Sequence, residues 1–478
     1  MPHSGSVLGN LLAMLFFQFI WSATGFAAET AVAQRPSLLL IVLDTVRVDA
    51  VSAYGEVDGT TPALDALASE GVRYTRAFAP APWTLPSHAT LFTGRRIDEH
   101  RVAMPGQPEL SIDFETLAEL LSEVGYETAA FSENAIVSDL FGLLRGFEVR
   151  ETTTLNSDNQ EESIDAWSSF RAWLDGRDSS KPFFAFVNIL DAHRPYTVRS
   201  ENPWVPQGAS KLAILDRHAA PERQLCGALP TADQIAIQRG LYLGDVHAAD
   251  RKLGQILAAE KSASRGRSLI TVVTSDHGEL FGEHKLLGHE FSVHSALLRI
   301  PLVVHGAGGQ PNTVVDVPVG LEDLMPTILS WAQAAVPDGL KGIRLPRSSP
   351  SDSFTEASPR SFFAAYTDQF VVVPAKLDGR VRHVDKAKLR QFCAESNRVF
   401  GGMATLIRYP FKYVWYERYP ASLYDLSWDP KERSDQVKYR KDLADSYESE
   451  RLSAERTPVT HFEKGFPRSS LPISDFLF

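Results

Sequence analysis

Residues 37–43 read Ser-Leu-Leu-Leu-Ile-Val-Leu and are followed at once by Asp44. A continuous apolar run of that length suits a strand buried on both faces of a parallel sheet. The same pattern recurs at residues 183–189, 269–274 and 301–305, and a further strand is expected over 127–132. Between these runs lie stretches with helical spacing: 62–70 closed by Gly71, 113–124 closed by Gly125, 167–174, 233–260 and 321–335. Strands alternating with helices predict an α/β fold with a large, mostly parallel sheet flanked by helices. In such sheets ligands gather at the carboxyl ends of strands. Asp44 and the pair Asp276-His277 stand at such ends.

The boundaries follow from composition. Residues 7–21 are apolar and are trailed by small residues, so residues 1–33 are expected to be a signal peptide. No Lys or Arg precedes the run, so a retained N-terminal anchor is the alternative. Export to the periplasm or the medium follows in either case. The catalytic α/β domain is expected over 34–345, a Ser/Pro-rich linker over 346–360, and a smaller α+β subdomain over 361–478. Within that subdomain, residues 405–417 alternate as strands interrupted at Pro410, and 431–456 read as a charged peripheral helix. Residues 197–230 lack periodicity and are expected to be a loop-rich insertion beside the pocket. The formal net charge of −11 argues against nucleic-acid binding through a broad basic face. Only two cysteines occur, Cys226 and Cys393, and nothing in the sequence shows that they meet.

Residues 83–94, Trp-Thr-Leu-Pro-Ser-His-Ala-Thr-Leu-Phe-Thr-Gly, read as a short helix stopped by Gly94. Thr84 and Ser87 would then sit at a helix N-terminus, where unpaired amides and the dipole favour an anion. Taken alone, either hydroxyl is as well explained as an ordinary cap. Asp44, Asp276 and His277 are donors for a hard or borderline divalent cation. Carboxylates suit Ca²⁺ or Mn²⁺, and the imidazole admits Zn²⁺.

Taken in order, the motifs resemble those of the sulfatase family, within the alkaline phosphatase superfamily. They are Leu43-Asp44-Thr45, residues 84–94, Asp191-Ala192-His193-Arg194-Pro195-Tyr196, Thr274-Ser275-Asp276-His277-Gly278-Glu279 with Gly288-His289 and Leu298-Arg299-Ile300-Pro301, and Leu423-Tyr424-Asp425-Leu426 with Asp429-Pro430-Lys431-Glu432. The resemblance implies hydrolysis or transfer of sulfo- or phosphoesters with one divalent cation. It assigns Asp44, Thr84, Asp276 and His277 to the metal and Thr84 to the nucleophile position. His193 is assigned to the leaving-group side, and His289 to the place where many sulfatases carry a sulfate-binding lysine. His88 closes the nucleophile signature, where the family has arginine.

Three departures bear on chemistry. Sulfatases convert a Cys or Ser to formylglycine, whereas the secondary alcohol of Thr84 would yield a ketone. Thr45 stands where the family has a second aspartate. Ser132-Glu133-Asn134-Ala135 replaces a lysine-bearing motif. The expected activity is therefore a metal-dependent ester hydrolase in which Thr84 attacks as an alcohol. Phosphodiesters or phosphonate esters are the favoured substrates, with His193 or His289 protonating the leaving group. Ser87 is the lesser candidate nucleophile, and Glu279 is expected to orient His277. A sulfuric ester hydrolase on glycans or aryl sulfates, a phospholipid head-group transferase and an inactive binding protein are the alternatives. The partner is a small-molecule, glycan or lipid ester. A membrane enters only through an uncleaved N-terminal segment.

Overall fold

The computed structural model describes residues 35–103, 109–155, 161–209, 230–263, 268–289, 291–348, 360–366, 374–377, 380–383 and 401–455. The expected signal peptide, both cysteines, most of the 346–360 linker and much of the 197–230 insertion lie outside them.

The main sheet has nine strands: β1 Ser37–Leu43, β2 Val72–Phe78, β3 Glu127–Ser132, β4 Val149–Thr152, β5 Phe183–Ile189, β6 Leu269–Thr274, β7 Arg299–His305, β8 Thr313–Val315 and β9 Val319–Gly320. They run in the order β8-β2-β7-β6-β1-β5-β3-β4, with β9 also on β2. β1 lies at the centre, parallel to β5 and β6, and all seven of its residues are buried. Its side chains alternate between two cores. Leu38, Leu40 and Val42 face one, and Leu39, Ile41 and Leu43 face the other. Fully burying each such side chain contributes roughly 1.5–3 kcal/mol. The run therefore has no polar face because it has no wet side.

Two strand expectations need correction. β7 starts at Arg299 and runs antiparallel to both β2 and β6, so the sheet is mixed on that side. β2 was not expected as a strand. Arg73 and Arg76 interrupt its apolar run, and its two parallel short partners leave it half-covered.

Helices cover both faces. α1 Pro62–Glu70, α2 Thr84–Thr93, α3 Leu117–Glu123, α4 Ala166–Gly176, α5 Ala232–Ala263 and α6 Leu324–Trp331 are the longest in this part of the chain. α1, α4 and α5 contribute to the core holding Leu39, and α2, α3 and α6 to the core holding Leu38. α3 is shorter than the 113–124 pattern suggests. Thr116 caps it, its hydroxyl accepting from Glu119 N while the Glu119 carboxylate takes the Thr116 amide, so the chain before it turns. The helix expected over 321–335 begins as a tight 3₁₀ turn, and α6 proper ends at Trp331.

After the main sheet, β10 Phe362–Tyr366, β11 Met403–Arg408, β12 Phe411–Tyr416 and β13 Ser422–Asp425 form an antiparallel sheet in sequence order. The described residues from Pro36 onward form one compact unit. The helix expected over 431–456 is only Lys441–Glu455, here α7. Residues 431–440 turn instead, because Asp429, Glu432 and Asp435 are spent on specific backbone and side-chain partners.

α5 is the brace behind the site. Its Asp250 accepts from Ala63 N at 2.8 Å and Leu64 N at 2.9 Å, capping α1 from outside. Asp250→Ala strands two helix-terminal donors and is expected to cost about 1–2 kcal/mol in urea unfolding. An unchanged midpoint would remove this capping role.

Candidate active site

The first turn after β1 carries Asp44, and the turn after β6 carries Asp276 and His277. Donor atoms of these three residues lie within 4.8 Å of one another, and all three side chains are fully buried. Asp44 Oδ1, Asp276 Oδ2 and His277 Nε2 have no hydrogen-bond partner among the described residues. Buried polar atoms are normally paired. Leaving one unpaired costs about 1–3 kcal/mol, and three such atoms within 4.8 Å of one another are a group that could hold a cation.

The opposite atom of each group is held. Asp44 Oδ2 accepts from Asn134 Nδ2 at 2.9 Å and from Asn188 Nδ2 at 3.2 Å. Asp276 Oδ1 accepts from Thr45 N at 3.2 Å and from His277 N at 2.9 Å. His277 Nδ1 donates to Gly278 O at 2.9 Å, which leaves Nε2 with its lone pair inward. Burial raises the Asp276 carboxyl above its usual value. Burial, reinforced by His289, lowers the His277 imidazole to about 3, so it is neutral and ready to ligate at pH 7. The loop packs this tightly because residue 278 is glycine: a Cβ there would lie 2.1 Å from Ala296 O.

Thr45 occupies the left-handed region at φ 59°. For a β-branched residue that conformation costs of order 1–3 kcal/mol and needs outside support. Tyr242 of α5 supplies it, donating to Thr45 O at 3.0 Å and accepting from Arg47 N at 2.8 Å.

Thr84 opens α2 and is 3% exposed. All ten residues of α2 are buried, and Gly94 ends it at φ 62°. Thr84 Oγ1 lies 3.4 Å from the Asn134 Nδ2 that also binds Asp44. Ser87, by contrast, donates its hydroxyl to Ala81 O at 3.2 Å. His88 donates through Nδ1 to Thr84 O at 2.9 Å and lies 3.8 Å from Asp276 Oδ2. Its ring packs against the edge of Phe186, and its Nε2 has no partner among the described residues.

The other expected histidines divide. His289 lies near His277, with tilted rings whose centroids are 4.7 Å apart, and near His193 at 5.1 Å. His193 Nδ1 lies 2.6 Å from Arg194 O. Glu279 does not orient His277, whose Nδ1 is already used by Gly278. It faces His289 instead, at 3.4 Å. Burial pushes the Glu279 carboxyl up, but His289 and Arg194 outweigh it and hold the group near 2. His284 and His294 lie together elsewhere, beside Glu432. Asn188, and Asn134 as a site residue, escaped the sequence reading. Their signal is positional, at the carboxyl ends of β5 and β3, and shared with many capping asparagines.

The family model for sulfatases matches residues 36–334. Delta 4,5-hexuronate-2-O-sulfatase of Bacteroides thetaiotaomicron is 25% identical over 88% of this chain and 89% of its own. The multifunctional alkaline phosphatase superfamily protein PehA of Trinickia caryophylli is 25% identical over 67% of this chain and 79% of its own. Among solved structures, the phosphonate monoester hydrolase of Agrobacterium radiobacter superposes with a TM-score of 0.67 at 24% identity, covering 88% of this chain and 95% of its own. With its mixed, mostly parallel sheet, its helices on both faces and a buried donor set at the strand ends, this chain belongs to the sulfatase family.

Proposed function

We propose that this sulfatase-family hydrolase cleaves phosphoesters, with phosphodiesters or phosphonate esters as substrates and an unmodified Thr84 as nucleophile. The carrying observation is the Thr84 hydroxyl itself, at the first turn of a buried helix and 3.4 Å from an asparagine shared with Asp44. Asp44, Asp276 and His277 would hold a divalent cation, which when bound supplies Lewis acidity at the transferred group. Their orphaned buried atoms fit it.

The chain's own residues do the rest. Thr84 gives up its hydroxyl proton to solvent water, and the resulting Oγ attacks phosphorus as the bond to the leaving oxygen breaks. The backbone amides at the start of α2 face the transferred group's oxygens. His193 or His289 delivers the proton to the departing alkoxide, and Glu279 fixes the His289 ring. Water then hydrolyses the Thr84 ester. Asn134 aligns the Thr84 hydroxyl with the Asp44 carboxylate. Asn134→Ala is expected to lower kcat about 10- to 100-fold with little change in KM, as loss of an orienting partner typically does. A KM effect alone would assign Asn134 to ground-state binding.

A sulfuric ester substrate is the second reading, supported by the 25%-identical relative named as a hexuronate sulfatase. Hydrolysis of matched aryl sulfate, phosphate monoester, phosphodiester and phosphonate ester substrates separates the two. Phosphodiester or phosphonate turnover that disappears in Thr84→Ala supports the proposal. Aryl sulfate turnover that survives Thr84→Ala sinks it. The apolar segment 7–21 supports export, and N-terminal sequencing of the mature chain tests that. Among the described residues, no helix is long and apolar enough to cross a membrane.

A further inference from the structure

Asn134 serves the nucleophile side of the proposed displacement and His193 the leaving-group side. Asn134 follows β3 and His193 follows β5, and these two strands pair in parallel. One side chain of α5 joins the two turns. Lys252 Nζ donates to Glu133 Oε1 at 2.6 Å and lies 2.6 Å from Asp191 Oδ2. Glu133 is the residue before Asn134, and Asp191 stands two before His193. Asp165, the cap of α4, is a third carboxylate within reach, at 3.6 Å. Burial disfavours the Lys252 ammonium, but Asp191 and Glu133 outweigh it and raise its pKa, so it is a standing cation at pH 7.

The far end of the His193 turn is fastened to the same helix. Asp245 accepts from Thr197 N at 2.7 Å and from Arg199 Nη2 at 2.8 Å. Asp245 and Lys252 are seven residues apart, about two turns of helix, so they share one face of α5. His193 lies between these two anchors. The two turns do not depend on Lys252 equally. Glu133 has its own ties, accepting from Ala166 N at 3.1 Å and from Leu190 N at 2.9 Å. Asp191 has Lys252 at 2.6 Å, while Arg199 stands further off at 3.8 Å. Loss of the ammonium would therefore free the His193 turn more than the Asn134 turn.

In-line displacement sets the attacking and leaving oxygens on opposite sides of phosphorus, and a small misplacement of either costs rate. We infer that Lys252 is a positioning residue: by drawing Asp191 to Glu133 it holds the His193 imidazole at a fixed distance from the Thr84–Asn134 side. This rests on the proton-delivery role given to His193 in the proposed function.

The test compares 4-nitrophenyl with phenyl esters of phenylphosphonate, and the matching pair of aryl sulfates, on full-length protein with Ca²⁺ or Mn²⁺. The nitrophenolate departs with little need of a proton, whereas the phenolate needs one. Lys252→Met is expected to lower kcat about 10- to 100-fold on the phenyl ester and less than about threefold on the 4-nitrophenyl ester, with KM little changed. Lys252→Arg keeps the cation and should recover most of the lost rate. Asp191→Asn, nearly isosteric, should reproduce the leaving-group dependence and decides the matter if Lys252→Met does not fold. A loss equal for both leaving groups, or a lower melting temperature with kcat unchanged, would leave Lys252 a brace only and overturn the role. Wild-type turnover of the sulfates alone would refute the phosphoester assignment, and the sulfate pair would then decide for Lys252. Hydrogen–deuterium exchange gives a readout independent of turnover. In Lys252→Met, residues 190–196 should exchange faster while residues 132–137 hold, and unchanged exchange over 190–196 would equally overturn the inference.

Discussion

Asp276→Asn should leave a folded chain that neither holds its catalytic cation nor turns over substrate. The substitution keeps an oxygen able to accept from Thr45 N and His277 N, so the strained turn retains its anchor. It removes the negative charge from a position where three buried donors lack partners among the described residues. The expected loss in kcat/KM is on the order of 10³-fold or more, beyond the 10- to 100-fold typical of supporting residues. Stability should move in the opposite direction once metal is stripped. Burial raises the Asp276 carboxyl, so in the metal-free protein its contribution to stability is complete at low pH. That contribution is lost as pH rises through the folded-state value. In chelator at pH 8 the variant should therefore melt above the wild type, and the gap should close on acidification. Added metal should reverse the order. Equal melting in chelator at all pH values would mean that Asp276 is not an unpaired buried charge.

Thr84→Ala should abolish turnover while leaving the fold intact. The Thr84 side chain caps nothing, since the cap position is Trp83 and makes no side-chain bond. Among the described residues its hydroxyl hydrogen-bonds only with Asn134, at 3.4 Å. The stability change should stay within about 1 kcal/mol. Loss of the attacking oxygen should cost on the order of 10³-fold or more in kcat, because the remaining groups can only position water. Thr84→Ser restores a hydroxyl at the same place and should recover activity to within about tenfold. Intact mass spectrometry should find Thr84 unmodified before reaction and esterified under substrate excess. Wild-type rates in Thr84→Ala would move the chemistry to water or to another residue.

The central strands were legible because burial on both faces erases periodicity. β1, β5 and β6 stand out in the sequence as apolar runs followed by polar residues. β2 was not legible, since its arginines belong to an outer part of the sheet where half-burial suffices. The antiparallel course of β7 was equally hidden, because strand direction leaves no mark on composition. Among the site residues, Asp44, Asp276 and His277 stand just past strand ends, and that position, their metal-donor side chains and the motifs that hold them together nominated them. Asn134 and Asn188 did not stand out, because an asparagine in the turn after a strand, or in a strand's last residues, is ordinary until its partner is known. Glu279 was assigned to the wrong imidazole for a related reason. The backbone carbonyl of Gly278 satisfies His277, and no residue pattern reports a main-chain acceptor.

α5 reaches four separate parts of the chain through single side chains. Tyr242 holds the turn after β1, Asp245 accepts from Thr197 N at 2.7 Å, Asp250 caps α1, and Lys252 pairs with Glu133 and Asp191 at 2.6 Å each. Segments fastened to one rigid rod loosen together. In hydrogen–deuterium exchange the amides of Arg47, Ala63, Leu64 and Thr197 should therefore open as one cooperative unit. Their protection should track α5 rather than the loops in which they lie.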